Sequence, residues 1–158
     1  MKARKIGALN ANMGIAQAAR RIIAVRSDEV FSLAPRALAG EDETALHDLR
    51  IAAKRLRYVL ELVGFVLGDV AGEAETRMRD LQTLIGDVHD CDVLLRRLGQ
   101  REPTKRNGTR QLADRLSKRR SRLFGEFVVL WSTIETSRLH ERIVAATNHS
   151  PNDSHFGA

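Results

Sequence analysis

Hydrophobic residues recur at spacings of three and four along most of the chain, which is the period of an α-helix that buries one face. The pattern predicts four amphipathic helices, at residues 11–33, 43–67, 73–98 and 109–146. The inward-facing stripe begins at Ile15 in the first helix and at Leu112 in the fourth. Because the connections between these helices are short, the pattern favours an all-α fold, an antiparallel four-helix bundle.

Helix-breaking and capping residues mark the boundaries of these elements. Pro35 is expected to end the first helix, because a proline lacks the N–H group that a helix interior needs. Asp42 is a suitable N-cap for the second helix, since its carboxylate can accept from the free backbone N–H groups there. The polar segment 101–108 is expected to be a loop. The predicted organisation is a mobile basic arm at residues 1–9, a helical bundle at 10–146 and a disordered tail at 147–158.

The second predicted helix separates its polar and apolar residues most clearly. At about 100° per residue, six polar side chains fall within one sector of the helix. These are His47, Arg50, Lys54, Arg57, Tyr58 and Glu61. Leu49, Leu56 and Leu60 fall on the other side, where they can pack in a core. The polar side displays one imidazole, two guanidinium groups and one ammonium group together, which is chemistry suited to an anion.

The third predicted helix repeats this spacing of polar residues. His89, Asp92 and Arg96 are separated as His47, Arg50 and Lys54 are, and Gln82 precedes His89 by one heptad. If the two helices are neighbours, their polar sides line one basic surface groove. Gly86 is the weak point of this helix, since glycine costs about 1 kcal/mol relative to alanine unless a neighbouring helix needs the space.

Composition and charge narrow the class of protein. The chain of 158 residues carries a net charge of +6 and is 43% hydrophobic, which suffices for a single core. Residues 1–26 include six basic residues and no acidic residue, and residues 101–122 include nine basic residues against two acidic ones. Concentrated positive charge attracts polyanions, although basic residues that only keep a surface well solvated would explain the same distribution equally well. Cys91 is the only cysteine, so a reducing, cytoplasmic location is expected, and no apolar run is long enough to span a bilayer.

The motifs of the second and third helices resemble those of the CHAD domain, the conserved histidine α-helical domain. The similar stretches are Leu46–Arg50, Lys54–Tyr58 and Leu81–Leu94. The resemblance implies an all-helical module that binds inorganic polyphosphate through a basic surface, often near polyphosphate granules and sometimes fused to a triphosphate-processing domain. It implies that the binding residues are His47, Arg50, Lys54, Arg55 and Arg57 in the first motif and His89 and Arg96 in the second.

The chain departs from the family in length. The usual CHAD domain is about twice as long and contains two related helical bundles, whereas this chain carries one set of motifs. We therefore expect two copies to pair as a homodimer, since two-fold symmetry is the commonest arrangement for such a module.

Physical chemistry supports a polyphosphate ligand independently. Arginine can bind two phosphate oxygens at once, and lysine supplies a more mobile charge. A linear polyanion rewards many modest contacts, so basic residues on the fourth helix should contribute as well. These are Arg115, Lys118, Arg119 and Arg122. We expect affinity to fall with added salt and to rise as pH drops from about 8 to about 6, where histidines gain charge.

Two other functions remain open. His47-Asp48 and His89-Asp90 are dipeptides similar to those of metal-dependent phosphohydrolases of the HD type, but each Asp sits about 100° from its His on the helix, which makes local chelation poor. Non-specific nucleic-acid binding is the second, although Tyr58 is the only obvious aromatic on a basic face. The sequence contains no nucleophile with an arranged base and no Gly-rich phosphate loop, so a non-enzymatic protein without a cofactor or metal is expected.

Overall fold

The chain folds into five α-helices in the part that the structure describes. The structure is a computed structural model, and it describes residues 2–7, 9–40, 42–100 and 106–149. The helices are α1 (Ile15–Leu38), α2 (Glu43–Val63), α3 (Val70–Gly99), α4 (Arg106–Thr136) and α5 (Leu139–Asn148), with a 3-10 helix at Gly64–Leu67. The predicted all-α class is confirmed, with five helices rather than four.

The prediction of one long helix to residue 146 was wrong, because the chain turns between α4 and α5. Arg138 adopts a left-handed backbone conformation, with φ 52° and ψ 35°. That conformation costs a non-glycine residue about 1–2 kcal/mol. The turn lets α5 pack back against α1, where Leu139 and Ile143 become fully buried. Burying each such side chain contributes about 1.5–3 kcal/mol, which offsets the cost at Arg138.

The prediction that Pro35 ends the first helix was also wrong, since α1 continues through Pro35 to Leu38. Pro35 removes one helical hydrogen bond, the one that an N–H group there would donate to the carbonyl of Phe31, yet the helix continues for three more residues. The carbonyl of Pro35 still accepts from the N–H of Ala39 at 3.3 Å. Ala34 and Ala37 are buried in the core on either side, and their packing holds the final turn in place.

The start of α2 matches the prediction. The Asp42 carboxylate accepts a hydrogen bond from the backbone N–H of Thr44 at 2.8 Å and pairs with Arg36. The hydrogen bond from Thr44 and the charge of Arg36 lower the pKa of Asp42 below its ordinary value. The helix ends at Val63, and the residues to Leu67, which we expected to extend it, form the 3-10 helix instead.

One hydrophobic core joins all five helices. α2 packs against both α1 and α3, and α3 packs against both α2 and α4, so α2 and α3 form the centre of the fold. The largest fully buried side chains include Phe127, Ile23, Leu49, Leu56, Met78 and Leu81. Ile15 and Leu112, predicted to face inward, are 73% and 47% exposed, because both lie in the outer turns of their helices.

The segments outside the helices are described only in part. Arg4 contacts α1, its backbone N–H lying 3.3 Å from Glu29 Oε1 and its Nη2 donating to Ser32 Oγ at 2.7 Å. The mobility of the 1–9 arm stays a prediction. Thr147 and Asn148 belong to α5, while the rest of the predicted tail, from residue 150, lies outside the described residues. No helix in the described part of the chain is both long and apolar enough to cross a bilayer.

Candidate functional site

The two helices that carry the histidine motifs lie side by side and run in opposite directions. Their contacts proceed in order along what we call the α2–α3 seam. The paired residues, from α2 to α3, are Glu43 with Arg96, His47 with His89, Arg50 with Gly86, and Arg57 with Gln82. The polar sides of the two helices therefore meet along one continuous strip of surface.

The two histidines form the centre of one end of the seam. The ring centroids of His47 and His89 are 6.2 Å apart, with an angle of 51° between the rings. A shallow cleft of about 190 Å³ lies beside them, lined also by Glu43 and Thr44. We call this the histidine cleft. His47 is exposed and His89 is half-buried, so both imidazoles lie at or near the surface.

Arg50 occupies the middle of the seam and crosses it at Gly86. A Cβ atom at Gly86 would lie 3.4 Å from Arg50 Nε and 3.8 Å from Nη2. The guanidinium thus lies against α3 at Gly86, where an added methyl group would be in van der Waals contact with it. Arg50 Nε is buried and has no hydrogen-bond partner among the described residues. An unsatisfied buried donor costs about 1–3 kcal/mol, so this N–H group favours an incoming acceptor.

Arg57 is held from three directions at the other end of the seam. Its Nε donates to Gln82 Oε1 at 3.1 Å, its Nη1 donates to Glu61, and its guanidinium lies 4.5 Å from the centroid of the Tyr58 ring. Lys54 Nζ lies 5.6 Å from the same ring. The ring of Tyr58 therefore attracts both cations and helps to keep them adjacent.

Carboxylates hold the arginines at both ends of the seam. Arg96 pairs with Glu43, and Arg57 pairs with Glu61. Our reading of the sequence assigned no role to either glutamate. The second pair has the four-residue spacing of a helical ion pair and was recognisable from the sequence. The first joins residues 53 positions apart, so it required the register of α2 against α3.

Arg55, predicted to bind with its neighbours, lies on the side of α2 that faces α1. Its Nη1 is 3.2 Å from Glu29 Oε1. Glu29 is only 2% exposed and also pairs with Arg26 at 2.7 Å. Arg55 therefore belongs to a buried charge cluster between α1 and α2, about 100° around the helix from Lys54.

The basic residues of α4 also lie apart from the seam. Leu123 and Phe127 face inward, and the predicted binding residues lie on the exposed side of the helix. These are Arg115, Lys118, Arg119 and Arg122. Arg120 turns inward instead, and its Nε donates to the buried carboxylate of Asp92. Asp92 thus faces α4, so the spacing it shares with Arg50 does not place it in the seam.

The described side chains do not form a ready metal site. Within residues 2–7, 9–40, 42–100 and 106–149, no group of three or more His, Cys, Asp or Glu side chains is arranged to hold a metal ion. The histidine cleft brings together His47, His89 and Glu43, but Glu43 is engaged by Arg96.

Comparison with known proteins agrees with the motifs. No significant match to this chain was found among curated proteins or solved structures. A family model for the CHAD domain matches residues 3–99, which is more than half of the chain and covers α1, α2 and α3 with both histidine motifs. The chain therefore belongs to the CHAD domain family.

Proposed function

We propose that this protein binds inorganic polyphosphate at the α2–α3 seam and does not catalyse a reaction on it. The observation that carries the proposal is the position of Arg50. Its buried Nε lacks a described partner, and it lies between the histidine cleft and the Lys54–Arg57 pair. The family membership supports the same ligand class.

The spacing of cations suits a linear polyanion. From His47 to Arg57 the seam extends about 15 Å along α2, at 1.5 Å per residue. An imidazole pair, a guanidinium crossing at Gly86, an ammonium and a second guanidinium follow one another along that length. Each contact is modest, and the polymer gains affinity by making them together. Arg55 and the α4 residues stay candidates for additional contacts.

The exposed carboxylates at the ends of the seam act as internal competitors of phosphate. Arg96 and Glu43 are 53% and 52% exposed, and ion pairs of that exposure contribute about 0–1 kcal/mol. A polyphosphate chain can displace Glu43 at little cost and use the released guanidinium. Arg57 is released less readily, because Gln82 and Tyr58 also hold it.

The rival functions receive less support from the same geometry. A metal ion beside His47 would be repelled by Arg50, and the described residues offer no cluster of three suitable ligands. A nucleic-acid base would stack on Tyr58, but Lys54 and Arg57 already lie against that ring. A phosphate chain needs neither a metal nor an open aromatic face.

We include a second copy of the chain in the proposal. Tyr58, Leu62 and Phe65 follow one another at helical spacing and are 45%, 80% and 69% exposed. This apolar stripe adjoins the Arg57 end of the seam. A homodimer that covers it would place a second set of basic residues beside the first, and its formation is checked by the molar mass in solution at micromolar concentration.

The decisive experiment is a polyphosphate titration of the Arg50→Ala/Lys54→Ala variant, with circular dichroism to confirm folding. We expect at least a tenfold loss of affinity. The matched control is Arg138→Ala/Arg142→Ala, which removes the same charge from two exposed sites at α5, away from the seam, and should stay within about threefold of wild type. Equal losses in the two variants would show that net charge, rather than the seam, determines binding.

A further inference from the structure

A second cavity lies at the far end of the fold. It measures about 640 Å³, is open to solvent on one side, and is lined by the first turns of α1 and the end of α5. Its polar lining consists of Gln17, Arg20, Arg21, Thr147, Asn148 and His149. α1 is about 36 Å long at 1.5 Å per residue, and the histidine cleft lies beside its other end. This distal cavity is therefore separate from the seam.

The distal cavity is built for an anion. Arg20 Nε is buried and has no hydrogen-bond partner among the described residues. No acidic side chain belongs to the described lining, and the first 26 residues of the chain contain none. Arg20 and Arg21 are consecutive on α1, about 100° apart, and both line the cavity, so their guanidinium groups together make it positive. A phosphate monoester carries a charge of about −1.5 to −2, against a single negative charge on a carboxylate, so this positive charge favours the phosphate.

The side of the cavity formed by α5 offers neutral polar groups. Thr147 Oγ1 donates to the carbonyl of Val144 at 2.9 Å, which leaves its oxygen lone pairs available as acceptors. His149 Nδ1 lies 3.3 Å from the carbonyl of Ala145 and is therefore the donor nitrogen, which leaves Nε2 for another partner. The amides of Gln17 and Asn148 can both donate and accept. Such groups suit a polar organic body better than a second phosphate.

We propose that the distal cavity binds a phosphate ester of about nucleotide size. The phosphate contacts Arg20, with the positive charge of Arg21 beside it, and the organic part lies against Gln17 and the end of α5. The cavity volume is within the range of about 300–1,000 Å³ that is common for small-molecule sites and exceeds what a single inorganic phosphate fills. The site rests on its own residues and does not depend on polyphosphate binding at the seam.

The test uses the full chain and nuclear magnetic resonance, with ADP, pyrophosphate and adenosine as probes. The backbone amides of Gly14 and Asn148 report on the distal cavity, and that of Gly86 reports on the seam. We expect ADP to shift the Gly14 and Asn148 amides at lower concentration than Gly86, pyrophosphate to do so more weakly, and adenosine to leave all three unchanged. A shift confined to Gly86, or adenosine binding as well as ADP, would overturn the proposal.

Two variants extend the test. Arg20→Gln should weaken ADP binding at the distal cavity at least tenfold, whereas Arg50→Gln should leave it unchanged. His149→Ala, at the exposed rim, should weaken it severalfold and serves as the reporter if Arg20→Gln does not fold. Wild-type ADP affinity in a folded Arg20→Gln variant, or in His149→Ala, contradicts the assignment.

Discussion

Two regions of this protein pair arginines with carboxylates, and they differ in how deeply the carboxylate is buried. In the α2–α3 seam, Glu43 is 52% exposed and holds Arg96 alone. Between α1 and α2, Glu29 is 2% exposed and binds both Arg26 and Arg55. A buried carboxylate cannot regain its hydration without unfolding its surroundings, so it holds its arginines more firmly than an exposed carboxylate does. An exposed carboxylate returns to water at little cost, so its arginine remains available to a ligand.

The largest effect should come from removing the buried carboxylate. Glu29→Gln leaves Arg26 and Arg55 without their shared counter-charge and should lower the free energy of unfolding by about 3 kcal/mol. Urea denaturation followed by circular dichroism measures it. The matched control is Glu43→Gln, which makes the same chemical change at an exposed pair and should alter stability by less than about 1 kcal/mol. Equal losses would contradict the contrast between the two regions.

A second buried carboxylate should behave like the first, with a smaller effect. Asp92 is 7% exposed and pairs with the half-buried Arg120. Asp92→Asn should lower the free energy of unfolding by about 2 kcal/mol, the order of a hydrogen bond to a charged group. Because this pair lies between α3 and α4, polyphosphate affinity of the folded variant should not change. A selective loss of affinity would place Asp92 in the binding site instead.

Crowding Arg50 should affect binding more than stability. Gly86→Ala gains about 1 kcal/mol of helix propensity but places a methyl group against the guanidinium of Arg50. We expect a thermal stability equal to or above that of wild type, because the added Cβ makes only van der Waals contact. Polyphosphate affinity, measured by titration at fixed salt, should fall severalfold, because the methyl group covers Nε and restricts the movement of Arg50 toward a ligand. Gly72→Ala is the matched control, since its added Cβ meets no atom within 4 Å. Full affinity in Gly86→Ala would show that Arg50 does not need its position across α3.

Removing an exposed carboxylate from the seam should strengthen binding. Glu43→Gln releases Arg96 and removes a negative charge beside the histidine cleft. The pair contributes at most about 1 kcal/mol, which corresponds to an increase in polyphosphate affinity of up to about fivefold. Isothermal titration at low salt measures it. A loss of affinity would mean that Glu43 positions Arg96 rather than competing with phosphate.

The smallest effect, on thermal stability, should come from Asp42, whose carboxylate accepts a hydrogen bond from the backbone N–H of Thr44 at the start of α2. Its folded pKa is lowered, chiefly by the hydrogen bond from Thr44 and then by Arg36. Its contribution is therefore present above its unfolded pKa of about 3.9 and is lost as pH falls through the lower folded value. Asp42→Ala should melt at a lower temperature than wild type at neutral pH, and the difference should shrink in strong acid. A difference in melting temperature that does not change with pH would show that the negative charge of Asp42 does not stabilise the fold.

Local patterns were sufficient to predict some of these features and insufficient for others. The cap at Asp42 and the polar face of α2 follow from short-range spacing, which a helix converts directly into geometry. Gly86 differs, because its contact with Arg50 comes from a neighbouring helix. The pairing of Glu43 with Arg96 depends on the register between two helices, which spacing within one helix does not determine. The burial of Glu29 could not be predicted from its local sequence either. Glu29 lies in a polar stretch, and the residue that covers and pairs with it, Arg55, comes from α2.

The turn at Arg138 could not be predicted from the sequence for a different reason. The sequence around it contains neither glycine nor proline, so no local signal marks the turn. The left-handed residue is stabilised by the packing of Leu139 and Ile143, which is a property of the whole fold. The distal cavity depends on the same turn, because α5 reaches α1 only after the chain reverses.

Because α5 packs back into the core, the family match and the hydrophobic core end at different residues. The family match ends at residue 99, yet Phe127, Trp131, Ile134, Leu139 and Ile143 from beyond that point fill the same core as α1 to α3. The segment that matches the family model is therefore shorter than the segment that forms the core. A fragment ending at residue 99 would keep every histidine-motif residue but would expose the apolar surface that α4 and α5 cover. We therefore expect such a fragment to be unstable by itself, although it contains the whole segment that matches the family model.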